Sequence, residues 1–212
     1  MIRLFVGYDE REALAYHVFC QSVIDTCSVP VSFTPVTDKI SRDGSNSFTY
    51  SRFLIPWLCD FKGFAIFADS DMLITEDLAS LKMPKAACAV VQHENYKAKK
   101  IKYVGTNMEC PNISYPRKNW SSFIVWNCGH PDNSGLNPEF ISGNTGQFLH
   151  RFGWCETEAL DPRWNRLVGE QDFEDVFNYH FTLGIPAIPY YGKDQGYDLW
   201  NEKAYKVNRV PI

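Results

Sequence analysis

The chain has 212 residues, 45% of them apolar and 15% aromatic, enough to bury one good core and consistent with one globular domain. Its formal charge is −4, and Lys97, Lys99, Lys100 and Lys102 form its only basic run, so the footprint of a nucleic-acid binder is absent and no nucleic-acid partner is expected. No apolar stretch reaches membrane-spanning length, and Met1 leads straight into a strand pattern, so the sequence implies no membrane span, no signal peptide and a cytoplasmic setting.

Residues 2–6 read as a buried strand closed by Gly7-Tyr8-Asp9. Residues 10–27 follow as a helix, with apolar positions at 13, 16, 20, 23, 24 and 27 and acidic residues at its start. Residues 31–36 form a second strand, which completes a βαβ unit and makes the sheet at least partly parallel. The first loop lacks both Gly-x-Gly-x-x-Gly and a P-loop lysine, so a dinucleotide dehydrogenase and a kinase-like NTPase are disfavoured. Tyr8 and Asp9 could stack on a base and accept a hydrogen bond from a base or ribose; a glycine turn followed by a helix cap at Asp9 explains them equally well.

A polar loop is expected over 38–47, then a short helix over 49–59 that carries Arg52 on its polar side, where its forked donors could bind phosphate. The run Gly63-Phe64-Ala65-Ile66-Phe67-Ala68 is too short for a helix and reads as a central strand buried on both faces. It ends in Asp69-Ser70-Asp71. Ligands of such sheets sit beyond the carboxyl ends of the strands. Two carboxylates there call for a hard divalent cation, although an Asp turn that caps the next element would show the same pattern.

Farther on, residues 78–81 suggest a helical turn and 86–92 another buried strand. Residues 93–119 have little periodicity and read as a long loop, a candidate lid. A strand over 121–127 follows, then residues 140–152, helical in part and interrupted by Gly143-Asn144-Thr145-Gly146. A late apolar run ends in His180, whose imidazole would suit a third place on the cation held by the aspartates, though a lone histidine there is more often a packed core residue. The seven cysteines are odd in number and never spaced Cys-x-x-Cys, which favours reduced thiols over disulfides or zinc.

In this order, the motifs resemble nucleotide-sugar glycosyltransferases of the GT-A fold, and among them the glycogenin-like retaining family. The likeness rests on Tyr50-Ser51-Arg52-Phe53-Leu54 followed by Ala65-Ile66-Phe67-Ala68-Asp69-Ser70-Asp71, and extends along most of the chain. The resemblance implies an α/β fold, a single GT-A-like domain over 1–212 with a Rossmann-like, mostly parallel sheet flanked by helices. A short tail, about 186–212, would pack on it. It further implies Mn²⁺ or Mg²⁺ on Asp69, Asp71 and His180, bridging the diphosphate of a UDP-sugar. Gly7, Tyr8 and Asp9 would contact the nucleoside; Arg52, Ser70 and Gly184 would lie near the phosphates; Ser121 and Ser122 would border the donor sugar. Asn144 and Thr145 stand in place of the family's Asp-Gln and would, with Asp71, face the reacting sugar. The family's Lys-Pro-Trp is missing where Pro186-Ala187-Ile188-Pro189 stands, so the phosphate-anchoring lysine is unassigned; Lys193 or Lys203 could substitute. The implied activity is hexose transfer from UDP-glucose or UDP-galactose to an acceptor, with retention. Two other readings compete: a haloacid-dehalogenase-like phosphatase with Asp69 as nucleophile, though Met72-Leu73 departs from its motif, and a non-catalytic nucleotide-sugar-binding module.

Overall fold

Residues 1–37, 46–172 and 174–209 are described by a computed structural model of the chain. Most of the polar loop expected over 38–47, and the last three residues of the tail, lie outside them. β1 (Ile2–Gly7), α1 (Ala13–Thr26) and β2 (Val31–Val36) form the βαβ unit, with β1 and β2 parallel from Ile2↔Val31 to Gly7↔Val36. The helix expected over 49–59 is broken: a 3₁₀ turn, Ser51–Phe53, precedes α2 (Ile55–Leu58), with Pro56 in the first turn of α2, where its missing N–H costs least.

β3 (Phe64–Ala68) is the expected central strand, flanked by β1 on one side and by the later β8 on the other. The chain then leaves the main sheet. After Asp69-Ser70-Asp71 it enters β4 (Met72–Ile74), which belongs to a second, three-stranded sheet. β5 (Cys88–Val90) returns to the main sheet. Within the long segment 93–119, β6 (Ile101–Lys102) and β7 (Cys110–Pro111) pair as a small antiparallel hairpin that sequence periodicity does not reveal. β8 (Phe123–Asn127) is antiparallel to β3 and β5 and completely central.

α3 (Pro138–Gly143) and α4 (Gly146–His150) replace one interrupted helix. β9 (Thr157–Ala159) closes the main sheet, whose order is β2-β1-β3-β8-β5-β9 with every strand but β8 pointing the same way. β10 (Arg166–Leu167) and β11 (Asn178–His180) complete the second sheet, in the order β10-β11-β4. Finally α5 (Tyr197–Asn208), in the expected tail, packs on α1 through Trp200 and Ala204. Apolar clusters cover both faces of the main sheet: Phe53, Phe67, Trp126 and Phe152 on one, Leu4, Phe19, Ile66 and Val125 on the other.

Candidate active site

The change of sheet between β3 and β4 builds the site. Asp69 stands at the carboxyl end of β3, with its backbone N–H donating to Ser122 O at 2.8 Å. Asp71 directly precedes β4. Because β11 runs antiparallel to β4 with His180 opposite Met72, the His180 ring is delivered beside the aspartates from more than a hundred residues away. One ligand atom from each of Asp69, Asp71 and His180 lies within 4.8 Å of the others.

Neighbours fix each of these groups. The amide of Asn165 donates from Nδ2 to Asn119 O at 3.0 Å and to Ser122 Oγ at 2.9 Å, so its Oδ1 is left to accept from His180 Nδ1 at 2.8 Å. The other ring nitrogen, Nε2, then faces Asp71 Oδ1 at 3.4 Å. Burial opposes charge on both members of this pair, but their attraction prevails: the Asp71 carboxyl is held below its usual range and the His180 ring above its own. Asp69 is pushed up to about 6, first by burial and then by the charge of Asp71, with Arg52 pulling the other way. Asp71 Oδ1 is buried without a hydrogen bond. Two carboxylates and an imidazole with a fixed tautomer, with Asp69 Oδ1 as well as Asp71 Oδ1 buried without a hydrogen bond, are a donor set that fits Mn²⁺ or Mg²⁺.

The three groups open into a cleft of about 510 Å³ that Ser121, Ser122, Tyr50 and the 93–119 segment also line. That segment is fastened over it. Tyr103 has a left-handed backbone, φ 57°, which bulky residues seldom adopt. Its backbone N–H donates to Leu183 O at 2.7 Å and its hydroxyl to Glu12 Oε2 at 3.3 Å. Glu12 is pushed up to about 8, chiefly by burial and then by Asp71. Next along, the N–H of Val104 donates to Tyr191 Oη at 3.1 Å.

Several residues singled out in the sequence do other work. Arg52 is 4% exposed, its Nη1 2.9 Å from both Asp69 Oδ1 and Ser121 O, its guanidinium between the rings of Phe48 and Phe67. Nη1 is committed to Asp69 and Ser121 and Nε to Phe48 O at 3.4 Å, so Arg52 positions Asp69, while Nη2 remains on a side chain that lines the cleft. Asn144 and Thr145 do not line the cleft: Asn144 ends α3 and donates to Phe140 O at 2.7 Å, while the Thr145 hydroxyl caps α4 by accepting from Phe148 N–H. Gly146 and Gln147 line it instead. Gly184 is outside the lining too. At φ 153° a Cβ there would stand 2.3 Å from the Tyr191 ring, so glycine is required for packing. Ser70 is buried, and Gly7 admits the Phe48 ring, 2.4 Å from where its Cβ would be. Lys203 pairs with Asp25 at 2.7 Å on the α1–α5 side, and Lys193 lies in a surface turn outside the cleft.

At Asp9 the cap reading describes what forms. Its carboxylate accepts from Arg11 N–H and from the Arg11 guanidinium at 2.8 and 2.6 Å, and from Ser47 N–H at 3.1 Å. The Arg11 side chain above all holds its pKa down to about 2. A pKa lowered by folding adds stability above the unfolded value, near pH 4, that is lost as the pH falls toward 2. The Asp9→Asn protein should therefore show a flatter decline between pH 4 and 2 in urea unfolding. An identical slope in the two proteins would show that the pair contributes nothing.

Gln147, Lys118 and Glu12 are not singled out by sequence reasoning, and Lys102 enters it only as part of the basic run. They lie on the helix start, the hairpin and the loop whose placement only the folded chain decides.

No family model matches the chain. It is 36% identical, over 230 aligned residues, to Protein CDI of Arabidopsis thaliana, an alignment that covers 98% of this chain and 87% of that protein. Among solved structures it is similar to the galactosyltransferase LgtC in complex with donor and acceptor sugar analogs, with a TM-score of 0.60, 13% identity, and 99% and 98% of the two chains covered. It is also similar to mouse xyloside xylosyltransferase 1, with a TM-score of 0.54 at 15% identity over 87% of this chain and 99% of that one. The bifunctional glycosyltransferase WbbM gives 0.59 at 14% identity; this chain is covered over 99% but spans only half of that protein. At such identities the likeness shows the fold, an α/β fold of the GT-A type with a mostly parallel sheet.

Proposed function

Because the chain belongs to the family of Protein CDI and has this fold, we propose that it is a metal-dependent glycosyltransferase of the GT-A, glycogenin-like kind. It would move a hexose from UDP-glucose or UDP-galactose to an acceptor, with retention, as one domain over residues 1–212. The observation that carries the reading is the convergence of Asp69, Asp71 and His180 at the mouth of a cleft large enough for a nucleotide sugar. When bound there, Mn²⁺ or Mg²⁺ would neutralise the charge that develops on the leaving diphosphate.

The chain's own residues prepare that site. Arg52 holds Asp69 in place, and Asn165 turns Nε2 of His180 toward Asp71. The 93–119 segment, tied down by Tyr103, would exclude water from the donor. Tyr8, edge-on to Tyr16 at 5.5 Å, would seat the base beside the end of β1. Gln147 would face the sugar in the role that the sequence gives to Asn144 and Thr145. The phosphatase alternative is weakened because Asp69 Oδ1 is paired with Arg52, and burial raises the carboxyl to about 6. All seven cysteines are free thiols, which suits a reducing, cytoplasmic setting. No helix among the described residues is long and apolar enough to cross a membrane.

The test is thermal unfolding with UDP, ADP and GDP, each with Mn²⁺ and with a chelator. UDP with Mn²⁺ at a hundredfold excess over Kd should raise Tm by roughly 5–10 °C, and the chelator should abolish the shift. No shift with any nucleotide would remove the reading. The support of His180 gives a second expectation. Asn165→Ala should weaken Mn²⁺ binding by roughly 10–100-fold, measured by metal titration, because the ring loses the acceptor that fixes its tautomer. Unchanged affinity would show that Asn165 orients nothing.

A further inference from the structure

A donor diphosphate held at Asp69, Asp71 and His180 carries two negative charges, which one divalent cation balances, but it departs with a third, and that developing charge must meet cations of the protein. Among the described residues, the Arg and Lys side chains that line the cleft are Arg52, Lys102 and Lys118. Arg52 is committed to Asp69 and to the carbonyl of Ser121. His150, which also lines the cleft, is pushed down to about 3 by burial and then by Arg52, so it stays neutral. The charge of Arg52 is thus offset by the carboxylate of Asp69, and the lining cations with no carboxylate in salt-bridge range among the described residues are the two lysines.

Their surroundings suit an anion. Lys102 ends β6 of the hairpin, half-buried, with Nζ 5.1 Å from the centroid of the Tyr103 ring. Among the described residues it has no carboxylate in salt-bridge range. Yet its charge is felt at Asp69, Asp71 and Glu12. Lys118 Nζ donates to Ile113 O at 2.8 Å and sits 4.9 Å from the Tyr115 ring centroid. Burial, and then Lys102, push its pKa down to about 8. Two neighbouring ammonium groups that repel one another, facing a cleft and without a salt-bridged acid among the described residues, suit an anion.

We propose that Lys102 and Lys118 bind the diphosphate of the donor, opposite the carboxylate–imidazole cluster, so that the phosphate anchor is carried by the 93–119 segment and not by the C-terminal residues. This rests on the donor reading above. The segment then has two roles. The element that covers the donor also supplies the charge that holds it.

The experiment uses Lys102→Met, Lys118→Met, the double variant and Lys102→Arg. Methionine keeps the aliphatic stem over the tyrosine ring and removes only the charge. Calorimetric titration with UDP and Mn²⁺ should show Kd raised about tenfold by each methionine and roughly a hundredfold by both, with Lys102→Arg close to the native protein. Uridine, which has no phosphate, should bind all five proteins alike. The proposal is overturned if the double variant binds UDP as tightly as the native chain, or if uridine weakens in step with UDP. A native protein that binds no UDP would instead overturn the donor reading and this proposal together. Unchanged ligand-free Tm in the variants confirms that the hairpin still forms.

Discussion

Asp71→Ala protein is expected to fold as the native chain does and to lose sugar transfer by roughly three orders of magnitude, since a metal at a developing diphosphate charge is worth several kcal/mol. The fold should survive because the backbone at 71 does the structural work. Its carbonyl accepts from Phe181 N–H at 2.8 Å and joins β4 to β11, and alanine keeps that bond. Removing the side chain also takes one of two neighbouring carboxylates out of a buried site. Asp69 is raised toward 6 partly by that neighbour, so its ionisation becomes easier when Asp71 is gone. Against this, His180 loses the partner 3.4 Å from Nε2. The two effects oppose each other, and ligand-free Tm should change by only a few degrees. What should vanish is the rise in Tm with Mn²⁺ and UDP. The assignment of the metal site fails if the folded variant transfers sugar at the native rate or keeps the metal-dependent rise.

The parts of the fold legible in the sequence are those in which burial on both faces leaves an uninterrupted apolar run. Phe64–Ala68 is the clearest, and Ile2–Val6 nearly as clear. The Asp69-Ser70-Asp71 motif stands out because charge follows such a run without transition. α5 is not legible because only Trp200 and Ala204 of its twelve residues are buried, too thin a stripe to set a period. β9 escapes for a related reason: it is an edge strand with an exposed Glu158 at its centre. The hairpin of β6 and β7 has two residues per strand, below any pattern a sequence can show. Where the structure gives a singled-out residue a structural task, the cause is shared. The sequence reading gives Asp9, Asn144 and Thr145 to the ligand, and all three instead satisfy backbone donors or acceptors at turns and helix ends, which is what short polar side chains do by default. Position at a strand's carboxyl end selects residues near a ligand; it does not say which of them are already used by the backbone.

Arg52→Ala should be the most damaging single substitution in the site for stability, lowering it by about 3–5 kcal/mol, because it leaves a buried carboxylate without its partner. For a chain of this size that is a fall in Tm of roughly 10 °C. The guanidinium lies between Phe48 and Phe67 at 5.3 and 5.0 Å from their centroids, so its loss also opens a void in the core. Arg52→Lys keeps the charge but not the flat guanidinium that lies between Phe48 and Phe67, and should recover only part of the stability. The informative comparison is a double-mutant cycle with Asp69→Ala. If Arg52 serves to balance and hold Asp69, the double variant should be more stable than the sum of the single losses allows, by roughly 1–3 kcal/mol. It should still be inactive, since the carboxylate that Arg52 holds for the metal is gone. Additive losses, with Arg52→Ala within a degree or two of the native Tm and impaired only in UDP binding, would return Arg52 to the role of a phosphate contact. In that case the arginine, and not Lys102, would be the cation that the diphosphate meets first.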